Sequence, residues 1–576
     1  MAHTIITDSH ALAKPVVFKS ILKMMNTTAT EMTTAENSHR GAFWNTSTFS
    51  LAALILLIIA ATPQLICMPV TNDVSYYDLQ ARTVMRGGML YRDMVEPNFP
   101  GVVWVHITVR SLFGWSTEAL RAFDLFVFSL TVFLLTRFVA GVRFQLAFLL
   151  FLAYYSVSEW CHVQRDLWLL LPTAAALNLR WAQIQRSAQA AVAGKTLFLY
   201  GLLEGLVWGA GVWLKPHVVI PALAVWLCSL ASPDLRAKVW KDLGGLLTGG
   251  LIAGALGLSW LYFTQTLPWF LEIQLDWNRE YLAEGNFGNL RYIILNMVAR
   301  FFPYILIHLV AVPAAIVLLI RQDPQRSAQT ALRLRLLSAL YLAWLLQVVL
   351  LQHPFDYVHF PPLLLGLSLL VYAFHCTRRA RLTRWLLTGS FLVMALIYSP
   401  VTKPAYLRLW SACLEQGSTG AIRNQLARIP YPDWEDMEHV AEFLRSQQTQ
   451  DREVTCFSND MVHLYLSLGL EPSTRFVYTQ SYIEFYPSRR PLIYKALRES
   501  PQRFVLSNLM AGGLLVGQAK EIGPEGPNAY PPAFPEHLKA KFPFSLPIAF
   551  RSGSLVVHHY QEQPAKESST KPSDKQ

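Results

Sequence analysis

Charge is scarce in this chain. Asp, Glu, Lys and Arg make up 15% of its 576 residues while 53% are hydrophobic, whereas soluble domains carry nearer a quarter charged. That composition excludes an ordinary soluble globular protein and points to a polytopic membrane protein. Cysteine is scarce too: there are six, none in a CxxC or Cys/His ligand spacing, so the chain shows neither a metal nor a redox motif. Cys67, Cys161, Cys228 and Cys376 lie in or beside apolar runs; Cys413 and Cys456 share the polar C-terminal region, where a disulfide is open to them if that region faces an oxidising compartment. A Gly-rich nucleotide cradle is missing, as is any internal repeat at a fixed period. The formal charge of +11 sits mainly in short loops between apolar runs, where basic residues set orientation rather than grip nucleic acid.

Apolar runs that fit a hydrocarbon core of about 30 Å lie near 48–69, 119–139, 144–160, 167–183, 199–213, 217–231, 243–264, 292–320, 335–351, 361–376 and 385–399. Before the first comes a polar tail over 1–47 with Lys14, Lys19, Lys23 and Arg40, too long for a cleaved signal peptide, whose apolar core comes earlier. The stretch Gly101 to Gly114 is about a dozen residues long and holds His106 and Arg110, nearer an interfacial helix than a span. If it does not cross, five basic loops share a side with the tail: Arg137/Arg143, Arg180/Arg186/Lys195, Arg236/Lys238/Lys241, Arg321 to Arg335, and Arg378 to Arg384. The positive-inside rule then holds five times running. The expected architecture is an α-helical polytopic protein of about eleven spans over 48–400, N-terminus cytoplasmic, with the outer loop 70–118 and everything after Ser399 outside.

After residue 400 the composition becomes that of a soluble domain. Trp434 to Ser446 and Arg490 to Arg498 read as helices, and Glu453 to Phe457, Arg475 to Tyr478, Arg503 to Ser507 and Ser554 to Tyr560 as short strands. A small extracytoplasmic α/β domain over 401–560 is expected, with a Pro/Gly-rich loop at 523–535 and a disordered tail at 561–576.

The densest polar stretch is Thr71 to Trp104, TNDVSYYDLQARTVMRGGMLYRDMVEPNFPGVVW, next to the first span. Charge beside a bilayer is costly unless it sits in a wet cavity and acts there. Asp73 comes right after the span, where partial burial raises a carboxyl toward a useful base; capping the helix that runs from Val74 toward Arg86 is the competing role. Asp166 likewise reads either as a site residue or as an N-cap. Lys215 either snorkels or meets a lipid phosphate. His353, His359 and Tyr357 lie in a late outer loop, where interfacial aromatics are ordinary. Glu272, Asp276, Glu280 and Glu284 recur every four residues, so one helix face would carry them.

Asp73, Tyr77, Ala81 and Gly87-Gly88, succeeded by Leu90-Tyr91-Arg92-Asp93 and by Pro97 to Pro100, resemble the first outer loop of the GT-C glycosyltransferases that use polyprenyl-phosphate sugars. That superfamily includes the aminoarabinose transferases and protein O-mannosyltransferases of glycosyltransferase family 39. Gln164-Arg165-Asp166, Leu214-Lys215-Pro216 and the stretch QHPFDYVHFPP from Gln352 extend the resemblance across residues 48–400. Val74 departs from the family's second acid, and Glu96-Pro97-Asn98 from its Lys-Pro or His-Pro. The resemblance implies transfer of a hexosyl or pentosyl group, with inversion, from a polyprenyl-phosphate donor to a lipid, glycan or protein acceptor in the cell envelope. It makes Asp73 the catalytic base and Tyr77, Tyr91, Arg92, Asp93, Asp166, Lys215, His353 and Tyr357 substrate contacts, Lys215 and Arg92 holding phosphate. It implies no certain cofactor and no metal ligand set, although a divalent cation is compatible. A transporter or flippase of a lipid-linked precursor and a non-catalytic membrane scaffold are the alternatives.

Overall fold

The computed structural model describes residues 46–139, 141–188, 194–284, 294–295, 298, 301–321, 323–324, 326–353, 355–376, 381–398, 404–429, 432–510, 530 and 534–560. The N-terminal tail up to residue 45, the C-terminal tail 561–576 and most of the 523–535 loop lie outside them. Each of the eleven apolar runs becomes a helix: α1 Thr46–Cys67, α4 Thr117–Phe138, α5 Arg143–Ser156, α6 Leu170–Ser187, α7 Gly194–Leu214, α8 Val219–Ser229, α9 Val239–Phe263, α10 Ile307–Ile320, α11 Ala328–Leu351, α12 Asp356–His375 and α13 Arg381–Tyr398. Six of them, α1, α4, α7, α9, α11 and α12, are long and apolar enough to cross a bilayer, so the chain is a multi-pass integral membrane protein. Burial separates the centre of the bundle from its rim. The α12 window is 94% buried and the α1 window 22%, and large apolar side chains such as Leu251 and Phe263 stay exposed as a lipid-facing surface.

Lipid tails are as apolar as leucine, so helices associate here by close packing and polar contacts rather than by escape from water. α7 and α9 show the first. Gly205 and Gly249 let the two backbones touch: a Cβ on Gly205 would overlap the Leu246 carbonyl, and one on Gly249 the Leu202 carbonyl. Arg180 shows the second. Its guanidinium meets Glu204 at 2.8 Å and Asp242 at 2.7 Å, and Gln183 and Trp208 also donate to Glu204, stapling α6, α7 and α9. Arg180 is fully buried, so it is a bundle residue and not one of the loop charges that the sequence suggests.

Two helices sit between bundle and C-terminal region: α2 (Asn72–Met85) and α3 (Gly101–Phe113). At 13 residues, α3 is ~20 Å long, short of the bilayer core. Its two ionisable residues point inward: Arg110 Nε donates to Asp78 Oδ1 at 2.7 Å and His106 Nδ1 lies 2.8 Å from the same oxygen. That buried trio ties α3 to α2.

The C-terminal region carries a four-stranded sheet of β1 (Val454–Cys456), β2 (Phe504–Asn508), β3 (Ile548–Ser552) and β4 (Leu555–His559), ordered β1-β2-β4-β3. β1 and β2 are parallel, and β4 runs antiparallel to both its neighbours. The helices Trp434–Ser446 and Arg490–Glu499 form as expected. Arg475 to Tyr478 is not a strand. Its alternation is real but serves separate neighbours: Phe476 and Val477 enter different cores, and the Arg475 carbonyl accepts from Val95 N in the outer loop. Cys413 packs with Cys67 beside Leu409 and Ile422 while Cys456 lies in the sheet core, and both are free thiols.

Candidate active site

The short turn from α1 into α2 delivers Asp73. Thr71 is the N-cap of α2 but makes no side-chain cap bond; Asp73, two residues on, accepts a 3.3 Å hydrogen bond from the Tyr478 hydroxyl of the C-terminal region. Its carboxylate therefore faces a partner 405 residues away in sequence. Burial pushes the Asp73 carboxyl up to about 6, while the Arg165 guanidinium and the Tyr478 bond hold it back. Asp73 is thus a carboxylate poised near neutrality.

Arg165 belongs to the single turn Arg165–Trp168, between α5 and α6. The residue before Gln164 is Val163, fully buried with φ of 58°. A β-branched side chain in that region is strained, by about 1–3 kcal/mol, and the strained bend is what turns Arg165 and Asp166 inward. Burial alone would lower the Arg165 guanidinium, but Tyr77, Asp166, Tyr357 and Glu96 outweigh it and drive it upward. Its nearest carboxylate, Asp166, lies 3.9 Å from Nε and is committed elsewhere: Lys215 Nζ donates to Asp166 Oδ1 and to Gln352 Oε1, both at 2.6 Å. Burial pulls the Lys215 ammonium down to about 8, Asp166 opposing and Arg165 adding to the fall.

Lys215 sits where α7 ends against the start of α3. Gly101 packs on the Trp213 backbone, where a Cβ would collide with the carbonyl. The ring walls come from four segments. Tyr77 lies one turn after Asp73 on α2; Tyr357 heads α12 and stacks on Phe355 and Trp160; Tyr281 packs on His353 and Phe485 at 4.5 and 5.7 Å; and Tyr478 stacks near Tyr76 at 4.5 Å.

Asp73, Tyr77, Asp166, Lys215, His353 and Tyr357 are thus brought together. Tyr91, Arg92 and Asp93 group elsewhere. Tyr91, at φ 68°, is fully buried and spends its hydroxyl on the Asn98 carbonyl at 2.9 Å. Arg92 is paired with Asp93 at 2.7 Å, and both line a separate depression with Thr83, Glu471 and Arg475. Glu96 accepts from Asn98 N at 2.8 Å and from Gln80 at 2.5 Å, so it shapes the Pro97 to Pro100 segment. The acidic loop does not keep one helical face: a π-helical stretch at Ile273–Trp277 separates Leu267–Glu272 from Asn278–Glu284, and the wider turn rotates the residues beyond it. Glu272 accepts from Trp277 at 3.1 Å, and Glu280 from Ser488 N at 3.0 Å. Sequence reasoning misses Tyr478 and Tyr281 altogether and leaves Arg165 as a flank; the clustering of Tyr and Phe at 476–486 is the available signal. Among the described residues no three His, Cys, Asp or Glu side chains converge as a metal site.

No family model matches the sequence, and no curated protein does. The chain is similar in structure to ArnT from Cupriavidus metallidurans. The apo crystal structure has a TM-score of 0.50 at 11% identity, covering 89% of this chain and 98% of that one. The structure of the same protein bound to undecaprenyl phosphate gives a TM-score of 0.49 with the same identity and coverage. The fold is therefore similar to that of ArnT.

Proposed function

We propose that this protein is an integral membrane glycosyltransferase that moves a sugar from a polyprenyl-phosphate donor to a hydroxyl acceptor on the extracytoplasmic face, with inversion at the anomeric carbon. The observation that carries the reading is the pairing of one carboxylate poised near neutrality, Asp73, with two cations, the partly buried Arg165 and the buried Lys215, in an aromatic-walled site. In the reaction the acceptor oxygen attacks the anomeric carbon and its proton passes to Asp73. The bond from that carbon to the phosphate oxygen breaks, and its electrons leave with the phosphate. A phosphate leaves well enough to need no general acid, so one carboxylate suffices. What it needs is positive charge, which Arg165 and Lys215 supply in a low-dielectric site at little reorganisation cost. Asp166 and Gln352 fix Lys215, while Tyr77, Tyr281 and Tyr357 offer ring faces and hydroxyls to the sugar.

The resemblance of the outer loop supports this reading, and the ArnT-like fold agrees with it; the ArnT of Cupriavidus metallidurans binds undecaprenyl phosphate. Arg92 and Asp93, bound to each other, act as scaffold of the outer loop in this mechanism. Purified protein in nanodiscs, incubated with a polyprenyl-phosphate sugar, should release polyprenyl phosphate, and Asp73→Asn should abolish release without abolishing donor binding. Full release by Asp73→Asn would sink the assignment, and vectorial movement of the intact donor without bond cleavage would favour a flippase.

A further inference from the structure

Asp124 of α4 is fully buried, and a carboxylate kept inside a membrane bundle is costly unless it acts there. Both of its oxygens are engaged. Oδ1 accepts from Trp168 Nε1 at 2.7 Å, Oδ2 accepts from the Tyr154 hydroxyl at 2.6 Å, and His162 Nδ1 stands 3.8 Å from Oδ2. His162 and Trp168 bracket the segment Val163 to Leu167, which holds both Arg165 and Asp166. One carboxylate therefore touches this turn at both ends. The turn needs such a grip, because Val163 sits at φ 58° and backbone strain persists only where the surroundings over-determine it.

Two further sets of contacts tie this part of α4 to the site. The Trp168 ring lies 5.6 Å from Phe123 and 5.4 Å from His106, and His106 in turn packs on Tyr77 at 5.8 Å. Arg121, one turn before Asp124 and also fully buried, donates to the carbonyls of Met68 and Pro69, where α1 gives way to the turn that delivers Asp73. The Arg121 and Asp124 charges attract each other. A single turn of α4 thus holds both approaches to the site, the base through Arg121 and the cations through Asp124.

We propose that Asp124 is a positioning residue for the transfer reaction: by holding His162 and Trp168 it fixes the turn that presents Arg165 to the leaving phosphate and Asp166 to Lys215. The inference rests on the glycosyltransferase reading and adds to it a residue that acts only through its neighbours.

The test follows release of polyprenyl phosphate from a polyprenyl-phosphate sugar by the full-length protein in nanodiscs, as a function of pH. Trp168→Phe removes the indole donor and Asp124→Leu removes both accepted bonds. Each should lower kcat roughly 10- to 100-fold, the cost of a misplaced group. Each should also move the alkaline limb of kcat/KM upward. That limb belongs to Lys215, which burial holds down at about 8; Asp166, Arg165, His217 and His353 face it, and a loosened turn admits water. Asp124→Asn keeps an acceptor oxygen for Trp168 and should stay within about threefold of the wild type. Arg180→Lys, which weakens the bundle away from the site, should leave the limb in place. Trp168→Phe carries the test alone if Asp124→Leu does not fold. An unmoved limb and unchanged kcat in Trp168→Phe, an Asp124→Asn enzyme as slow as Trp168→Phe, or a limb moved as far by Arg180→Lys would each overturn the proposal. The two readings fail differently: a wild type that releases no polyprenyl phosphate brings down the glycosyltransferase reading and this proposal with it, whereas an active wild type with insensitive variants brings down this proposal alone.

Discussion

At Asp73 burial and charge compete, and the balance predicts how activity varies with pH. A general base must be deprotonated, so kcat/KM should rise as pH climbs through about 6, the position to which burial lifts this carboxyl. Lys215 must stay protonated to hold phosphate, so kcat/KM should fall again above about 8, where burial places its ammonium. The expected profile is a bell whose limbs belong to the free enzyme. Tyr478→Phe removes a bond donated to the carboxylate, favours the protonated form, and should move the acid limb to higher pH. Lys215→Arg, charged at every accessible pH, should erase the alkaline limb. Asp73→Asn should cost roughly 10²- to 10⁴-fold in turnover. A flat profile between pH 5 and 9 would remove both groups from the reaction. Asp73 and Lys215 are legible in the sequence because each sits at the end of an apolar run, where a charge stands out. Tyr478 is not, because its role comes from a contact across 405 residues that no local pattern encodes.

Among elements, the α6, α7 and α9 group predicts where stability resides. Gly205→Leu forces a side chain between backbones that touch and should cost about 1–3 kcal/mol as overpacking, read as a lower thermal midpoint in detergent. Arg180→Met is expected to be worse, about 3–5 kcal/mol, because it leaves Glu204 and Asp242 buried without their cation. Arg180→Lys should recover only part of this, since an ammonium cannot fork to two carboxylates. Equal midpoints for the wild type and the Lys variant would show that the fork contributes nothing. Eleven apolar runs each hold a helix, and for six of them length and hydropathy suffice for a membrane span. The four-residue spacing of Glu272, Asp276 and Glu280 misleads for a physical reason: a π-turn leaves composition untouched while shifting register. The β3 strand escapes the sequence because its alternation is only half-buried and lies against a turn.

For the whole molecule, the C-terminal region is bound into the outer loop rather than set upon it. Arg82 donates to the carbonyls of Tyr465 and Leu470, Ser75 meets His463 at 2.6 Å, and Tyr76, Leu79 and Met94 share one apolar core with β1, β2 and β4. Deleting everything after residue 400 should therefore leave α2 without its cover and abolish donor turnover, not merely acceptor choice. A change of composition near residue 400 suggests a separate domain in the sequence, but composition reports solvent class and not contact. The same contacts constrain topology. Since α2 and the sheet are packed together, they must lie on one side of the membrane, and the positive-inside rule predicts that this side is the extracytoplasmic one. With Cys228 and Cys376 replaced by Ala, single cysteines at Arg86 and Lys495 should react with an impermeant maleimide from outside intact cells, while one at exposed Arg236 should react only after permeabilisation. If Arg236→Cys labels from outside and Lys495→Cys does not, the orientation is reversed and a donor sugar presented outside could not reach Asp73. If Arg86→Cys and Lys495→Cys label from opposite sides, the packing of α2 against the sheet is itself wrong, and the site assembled around Asp73 and Tyr478 goes with it.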